Sequence, residues 1–104
     1  MTITSQAGNN LRKFSVNITA SATGDLDATQ DRAQIISDIK KLCDNPLPTG
    51  VNIKKLKGFN PPLYRLRSGN YRVLYRIEGQ VVTIMRIIDR KELERTIKKI
   101  RKSS

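Results

Sequence analysis

The sequence predicts an α+β domain of two layers, an antiparallel four-stranded sheet packed against helices. The expected order is strand, helix, a possible second helix, three strands and a closing helix. Three observations predict it. Residues 63–88 hold three strand-like runs separated by short turn sequences; arginines alternate with apolar residues in the first two, and the third is mostly apolar. Ile35, Ile36, Ile39, Leu42 and Cys43 recur at helical spacing, and Leu93, Ile97 and Ile100 repeat that spacing at the C-terminal end. The 104 residues suit one modest core rather than two.

The N-terminal segment MTITSQAGNN is polar, with a glycine and paired asparagines. A flexible tail is expected over residues 1–10, ahead of a single domain over residues 11–102. In Leu11–Thr19, Phe14, Val16 and Ile18 fall on one side, the pattern of a half-buried strand. ASATGDLDAT is ambiguous: Gly24 and the Ser/Thr content oppose a long helix but permit a short one. Asp27 is placed to cap the isoleucine-rich helix, which Asn45-Pro46, Pro48 and Gly50 stop. Lys54–Gly58 reads as a basic connector, and Pro61-Pro62 excludes helix. Leu63–Arg67 and Tyr71–Ile77 are expected to form a hairpin across Ser68-Gly69-Asn70. A second hairpin joins Tyr71–Ile77 to Val81–Ile88 through Glu78-Gly79-Gln80. Asp89 then suits the N-cap of a helix over Arg90–Lys102.

Charge is distributed unevenly. Residues 1–50 carry five basic and five acidic side chains, whereas residues 51–104 carry fifteen basic and four acidic ones. The net charge of +11 therefore arises in the second half alone. A basic face, with nucleic acid or an acidic protein as partner, is the expected consequence. Residues 55–90 contain Arg65, Arg67, Arg72, Arg76, Arg86 and Arg90. In a strand, residues two apart share a face, so Arg65 and Arg67 point together. Arg72 and Arg76 share a face likewise, with Tyr71, Val73, Tyr75 and Ile77 opposite them towards the core. Strands lie about 4.8 Å apart, close enough for such arginines to converge on one phosphodiester. The alternative is a solvated face of scattered cross-strand pairs.

Several chemistries are excluded. There is no histidine, which removes the Ser–His–Asp triad and histidine metal sites, and the single cysteine removes thiolate sites. Cys43 sits on an apolar helix face and reads as core. Neither a disulfide nor a Gly-rich phosphate loop is present, and no apolar run approaches about 20 residues. No metal, no cofactor and no membrane are expected, and a reducing cytoplasm is the natural setting. RNA cleavage by its own 2′-hydroxyl needs only a base, a cationic cradle and an acid. Arginines would supply the cradle, and Glu94, Tyr75 or Tyr71 the proton transfer. Glu94 lies four residues after Arg90, where an i, i+4 ion pair is the simpler role. Lys54, Lys55 and Lys57 suit backbone contacts to a large RNA.

The pieces KLKG (55–58), LYRLRSGNYRVLY (63–75) and IIDRKELER (87–95) resemble the RelE/ParE toxins of type II toxin–antitoxin systems, closer to the RelE-like mRNA interferases. The upstream strand FSVNIT and the helix ending in LCDNP stand in the expected order, so the resemblance spans roughly residues 12–98. It implies a toxin that represses translation as a ribosome-dependent, metal-independent mRNA endoribonuclease. The family also contains gyrase inhibitors, so a ParE-like non-enzymatic binder of DNA gyrase, or a catalytically silent antitoxin-binding member, is the alternative. The implied partners are a cognate acidic antitoxin, the ribosome and mRNA. Carried over, Arg72 matches the catalytic arginine of the second hairpin strand. Arg65 matches a basic position on the preceding strand, and Arg90 matches the arginine before the last helix. With Glu94 these are the candidate catalytic residues; Lys54, Lys55, Lys57, Arg67 and Arg76 are the candidate nucleic-acid-binding ones. Three positions depart from RelE: Leu63 replaces a functional lysine, Glu94 a proton-transferring tyrosine, and Asp89 a basic residue or histidine.

Overall fold

The computed structural model describes residues 2–3, 14–48 and 50–103. Its elements are β1 (Thr2–Ile3), β2 (Ser15–Ile18), α1 (Ala20–Asp27), α2 (Arg32–Lys40), β3 (Ile53–Leu56), β4 (Leu63–Ser68), β5 (Tyr71–Glu78), β6 (Val81–Asp89) and α3 (Leu93–Ser103). Short 3₁₀ turns, Lys41–Cys43 and Arg90–Glu92, follow α2 and precede α3. The strands form one sheet in the order β1-β2-β6-β5-β4-β3. Beyond Thr2–Ile3, the N-terminal segment expected to be a tail lies outside the described residues, as do positions 11–13 of the first expected strand.

The α+β class and both hairpins match expectation, while the four-stranded antiparallel sheet does not. The sheet is mixed, because β2 pairs β6 in parallel from Ser15↔Val81 to Ile18↔Ile84. After β2 the chain runs through α1 and α2, re-enters at the far edge as β3, and returns strand by strand to lie beside β2. Alternation reveals a strand but not its direction, which that path decides. Two strands exceed the expected four: β1 lies at the N-terminal edge, and β3 occupies part of the segment read as a connector. β3 has only four residues, and two are exposed lysines.

α1 exists despite Gly24 because its start is held at both ends of one side chain. The Thr19 hydroxyl accepts from Ala22 N (3.2 Å) and donates to Ile84 O of β6 (2.8 Å). Asp27 is the last residue of α1 rather than a cap for α2, whose N-cap position is Asp31. Both hairpins use two-residue loops, Gly69-Asn70 and Gly79-Gln80. Their glycines take positive φ (56° and 61°), a region costly for other residues.

The core is double. On one face α1 and α2 cover Val16, Ile18, Leu66, Val73, Tyr75, Val82 and Ile84 with Ala22, Leu26, Ile35, Ile39, Leu42 and Cys43. On the opposite face Leu63, Leu74, Ile88 and Phe59 pack with Leu56, Met85 and the α3 residues Leu93, Ile97 and Ile100. The molecule therefore has three layers rather than the expected two. β6 also carries a bulge: Leu74 faces Arg86 and Tyr75 faces Ile84, leaving Met85 unpaired.

Candidate functional site

The arginines lie on the α3 face of the sheet, where α3 leaves part of that face uncovered. Arg67 of β4 sits directly opposite Arg72 of β5, and Arg65 sits between Lys54 of β3 and Leu74 of β5. Adjacent strands are about 4.8 Å apart and alternate residues about 7 Å, so three guanidinium groups spring from one small rectangle. The fourth comes from the other direction. The backbone N–H of Arg90 donates to Asn70 O (2.9 Å), tying the entry to α3 against the β4–β5 turn. The side chain of Asp89 accepts from Lys91 N (2.9 Å) and caps this entry, as its position in the sequence predicted.

The clustered charges act on one another. The Arg72 guanidinium is held below its ordinary pKa, first by partial burial and then by the positive charges of Arg65, Arg67 and Arg90; Asp89 opposes them weakly. Burial, and then the charge of Arg67, lowers Arg65 in the same way. Ion pairs among the described residues are Arg32–Asp27, Lys41–Asp38, Arg86–Asp25 and Arg95–Glu92, so none of the four clustered arginines has one. Arg72 instead donates to the carbonyls of Gly69 (3.0 Å) and Tyr71 (2.9 Å). Arg65 reaches Val51 O at 3.4 Å, and its Nε is buried with no hydrogen-bond partner. Like charges without a carboxylate partner among the described residues, held on rigid strands, have the chemistry to bind an anion.

Of the residues singled out from sequence, Arg65, Arg72 and Arg90 come together and Arg67 joins them. Lys54 neighbours Arg65 across β3–β4. Lys55 pairs with Tyr64 and so faces the other way, and Lys57 lies in the turn after β3. Arg76 stands four residues along β5 from Arg72, beside Thr83, with its own Nε buried and unpartnered. Glu94 is exposed on α3, lining shallow depressions with Lys57, Phe59 and Arg101 on one side and Lys91 and Lys98 on the other. Arg90 belongs to a 3₁₀ turn rather than to the α-helix, so the four-residue spacing to Glu94 no longer stacks the two. No Arg90–Glu94 ion pair forms among the described residues; Arg95 pairs with Glu92 instead.

Two expectations fail outright. Tyr75 cannot carry protons for the arginines: it is fully buried on the opposite face, and its hydroxyl donates to Pro46 O (2.6 Å). Burial pushes its phenol far above the usual range, and the neighbouring Tyr64 adds to the shift. Tyr71 packs against the same core. Arg86, one of the six arginines in the basic run, is neutralised. Asp25 of α1 accepts from its Nε (2.7 Å) and terminal nitrogen (3.1 Å) and from the Ile87 N–H (2.9 Å). Sequence reading missed Asp25 and Asn70, since only the fold brings them to β6 and Arg90.

The family model for the ParE toxin of the type II toxin–antitoxin system, parDE, matches residues 16–94. No curated protein matches the chain. Among solved structures, the chain is similar to an archaeal RelE–RelB complex from Pyrococcus horikoshii. The identity is 25% and the TM-score 0.65, over 75% of this chain and 96% of that one. It is also similar to a RelBE toxin–antitoxin complex from Mycobacterium tuberculosis, at 30% identity and TM-score 0.61, over 72% and 95% of the two chains. The DinJ–YafQ toxin–antitoxin complex of Escherichia coli shares the fold at 15% identity and TM-score 0.59, over 78% and 97%.

Proposed function

The chain belongs to the ParE toxin family of type II toxin–antitoxin systems, within the RelE/ParE superfamily, and from that premise we propose that this toxin represses translation as a ribosome-dependent, metal-independent mRNA endoribonuclease. The observation that carries the reading is the cluster of Arg65, Arg67, Arg72 and Arg90, mutually repelling and without an ion pair among the described residues. In the proposed reaction the 2′-hydroxyl loses its proton to a base and attacks the adjacent phosphorus. The 5′-oxygen then leaves with a proton, and a 2′,3′-cyclic phosphate remains. Charge accumulates on the non-bridging oxygens, where Arg65, Arg72 and Arg90 hold the scissile phosphate and stabilise the transition state. Glu94, which lies on α3 outside the arginine cluster, is the proposed base for an RNA that runs from the cluster onto that helix. Asp89, whose charge reaches Arg72, is its competitor for that role. Lys54, Lys55 and Lys57 grip ribosomal RNA, Arg67 and Arg76 extend the contact to the message, and an acidic antitoxin neutralises the toxin by covering the basic sheet.

A non-enzymatic gyrase inhibitor is the second reading, favoured by the ParE description of the family model that matches. Primer-extension mapping of a reporter mRNA in a cell-free translation reaction separates the two. Codon-phased cuts that vanish without ribosomes support the nuclease; an intact message beside inhibited supercoiling supports gyrase.

A further inference from the structure

The outer side of α3 carries more positive charge than the fold needs. Lys91, Arg95, Lys98, Lys99 and Lys102 line one shallow depression there, with Glu94 as the single carboxylate among them. Within α3, Arg95, Lys98, Lys99 and Lys102 follow one another at three- and four-residue steps, so like charges stack along the helix and destabilise it unless an anion intervenes. Lys91 lies in the 3₁₀ turn just before it. Arg95 is paired with Glu92, whereas Lys91, Lys98 and Lys102 have no ion pair among the described residues.

We infer that this face is a second anion track, which takes the sugar–phosphate backbone of a base-paired RNA beside the arginine cluster. The inference rests on the nuclease reading for its biological setting, because a toxin working on the ribosome meets structured RNA on every side of the message. Three features favour such an RNA. First, the ridge is rigid: Leu93, Ile97 and Ile100 pack on the sheet's second core, and Arg101 pins the helix to the turn after β3. Its guanidinium lies 5.0 Å from the Phe59 ring centre and donates to Lys57 O (3.2 Å). The apolar side of α3 is packed, partly buried, on the sheet rather than presented outward to a lipid surface. Second, Arg95, Lys98 and Lys102 advance by about 4.5–6 Å per step along the axis, a spacing that can follow successive phosphates, and Lys91 precedes them from the 3₁₀ turn. Lysines act there as point charges and need no bidentate geometry, which suits a backbone of any sequence. Third, the ridge is continuous with the cluster, since Arg90 belongs to it and Lys91 begins the ridge.

The test uses the purified full chain and a labelled RNA duplex two helical turns long, with binding followed by anisotropy over a salt series. The Lys91→Gln/Lys98→Gln/Lys102→Gln variant is expected to lower the log–log salt slope by about 3, one per lysine, with the circular dichroism unchanged. A Lys40→Gln/Lys41→Gln variant, altered at the end of α2, is expected to leave the slope unchanged. An unchanged slope in the triple variant overturns the inference, and so does an equal fall per lysine in the double one, which would show charge acting without a site. Weakened binding of an acidic antitoxin with duplex binding intact also overturns it, making the ridge a protein interface. Duplex binding is read without ribosomes or cleavage, so failure of the nuclease reading leaves this result standing, and the reverse holds.

Discussion

The two faces of the sheet solve opposite problems with the same strands. On the face under α1 and α2, polar groups meet partners: Tyr75 donates to Pro46 O, Ser68 donates to Asp38 (2.7 Å), and Asp25 gathers Arg86 and the Ile87 amide. On the α3 face, Leu63, Leu74 and Ile88 are buried while Arg65, Arg67 and Arg72 between them go without a carboxylate partner. On the proposed reading, one face gives stability and the other gives part of it up to hold charge in place. The contrast is with Arg86, which Asp25 neutralises, whereas Arg65, Arg67 and Arg72 have no carboxylate partner among the described residues.

If the division is real, substitutions on the two faces should separate stability from activity. Ile39→Ala removes a fully buried side chain of α2. It is expected to cost about 2–5 kcal/mol in denaturant unfolding and leave the activity of the folded fraction unchanged. Arg72→Ala is expected to do the reverse, lowering cleavage in the cell-free reaction by about 10²–10³-fold with an unfolding midpoint close to the parent's. Loss of stability without loss of cleavage in Arg72→Ala would merge the two faces into one structural unit.

Asp25→Asn sharpens the comparison at its boundary, because Asp25 reaches from α1 to the strand that leads to Arg90. The retained amide oxygen can still accept from Ile87 N and, more weakly, from Arg86 Nε, while the amide nitrogen cannot accept from the Arg86 terminal nitrogen, an expected cost of about 1.5–3 kcal/mol. Cleavage per folded molecule should fall far less than in Arg72→Ala.

Tyr75→Phe tests the satisfied face more gently. It leaves the Pro46 carbonyl without its donor inside the core, an expected loss of about 1–2 kcal/mol. The sign with pH follows from the raised folded pKa. The neutral phenol is favoured in the folded protein, so its contribution is complete below the unfolded value near 10 and is lost as pH rises beyond it. The parent should therefore lose stability above about pH 10 more steeply than Tyr75→Phe, a difference that a thermal-unfolding series in alkaline buffers would show.

Much of this division was legible in the sequence, and the rest was not for definite reasons. Arginines alternating with Tyr71, Val73, Tyr75 and Ile77 placed the charges on one side of β5 and a core on the other. The same alternation sets Tyr75 on the face opposite the arginines, which removes it as their proton carrier. Leu74 and Ile88 on the charged side revealed a second core only once α3 was seen to cover them. β3 escaped because Ile53-Lys54-Lys55-Leu56 is short and half basic, and the parallel β2–β6 pair because direction is not a local property. The pairings of Arg65 with Arg67 and of Arg72 with Arg76 follow from period two. The meeting of Arg67 with Arg72 depends on the two-residue turn, and that of Arg90 with Arg72 on one bond to Asn70.

The smallest effect bears most directly on why the charged face is built as it is. Arg67 stands opposite Arg72, and like charges directly across a strand pair repel by a few tenths of a kcal/mol up to about 1. Arg67→Gln should therefore stabilise the free toxin slightly at low ionic strength. Arg67 is exposed, so salt should erase most of that gain as the screening length shrinks to roughly 8 Å at physiological strength. RNA binding by the same variant should weaken and its log–log salt slope drop by about 1. A gain in stability paired with a loss in binding is the signature of a charge kept for its ligand. Arg67→Gln losing both would mean that the arginine braces the hairpin, and the uncompensated cluster would then be a consequence of the fold rather than its purpose.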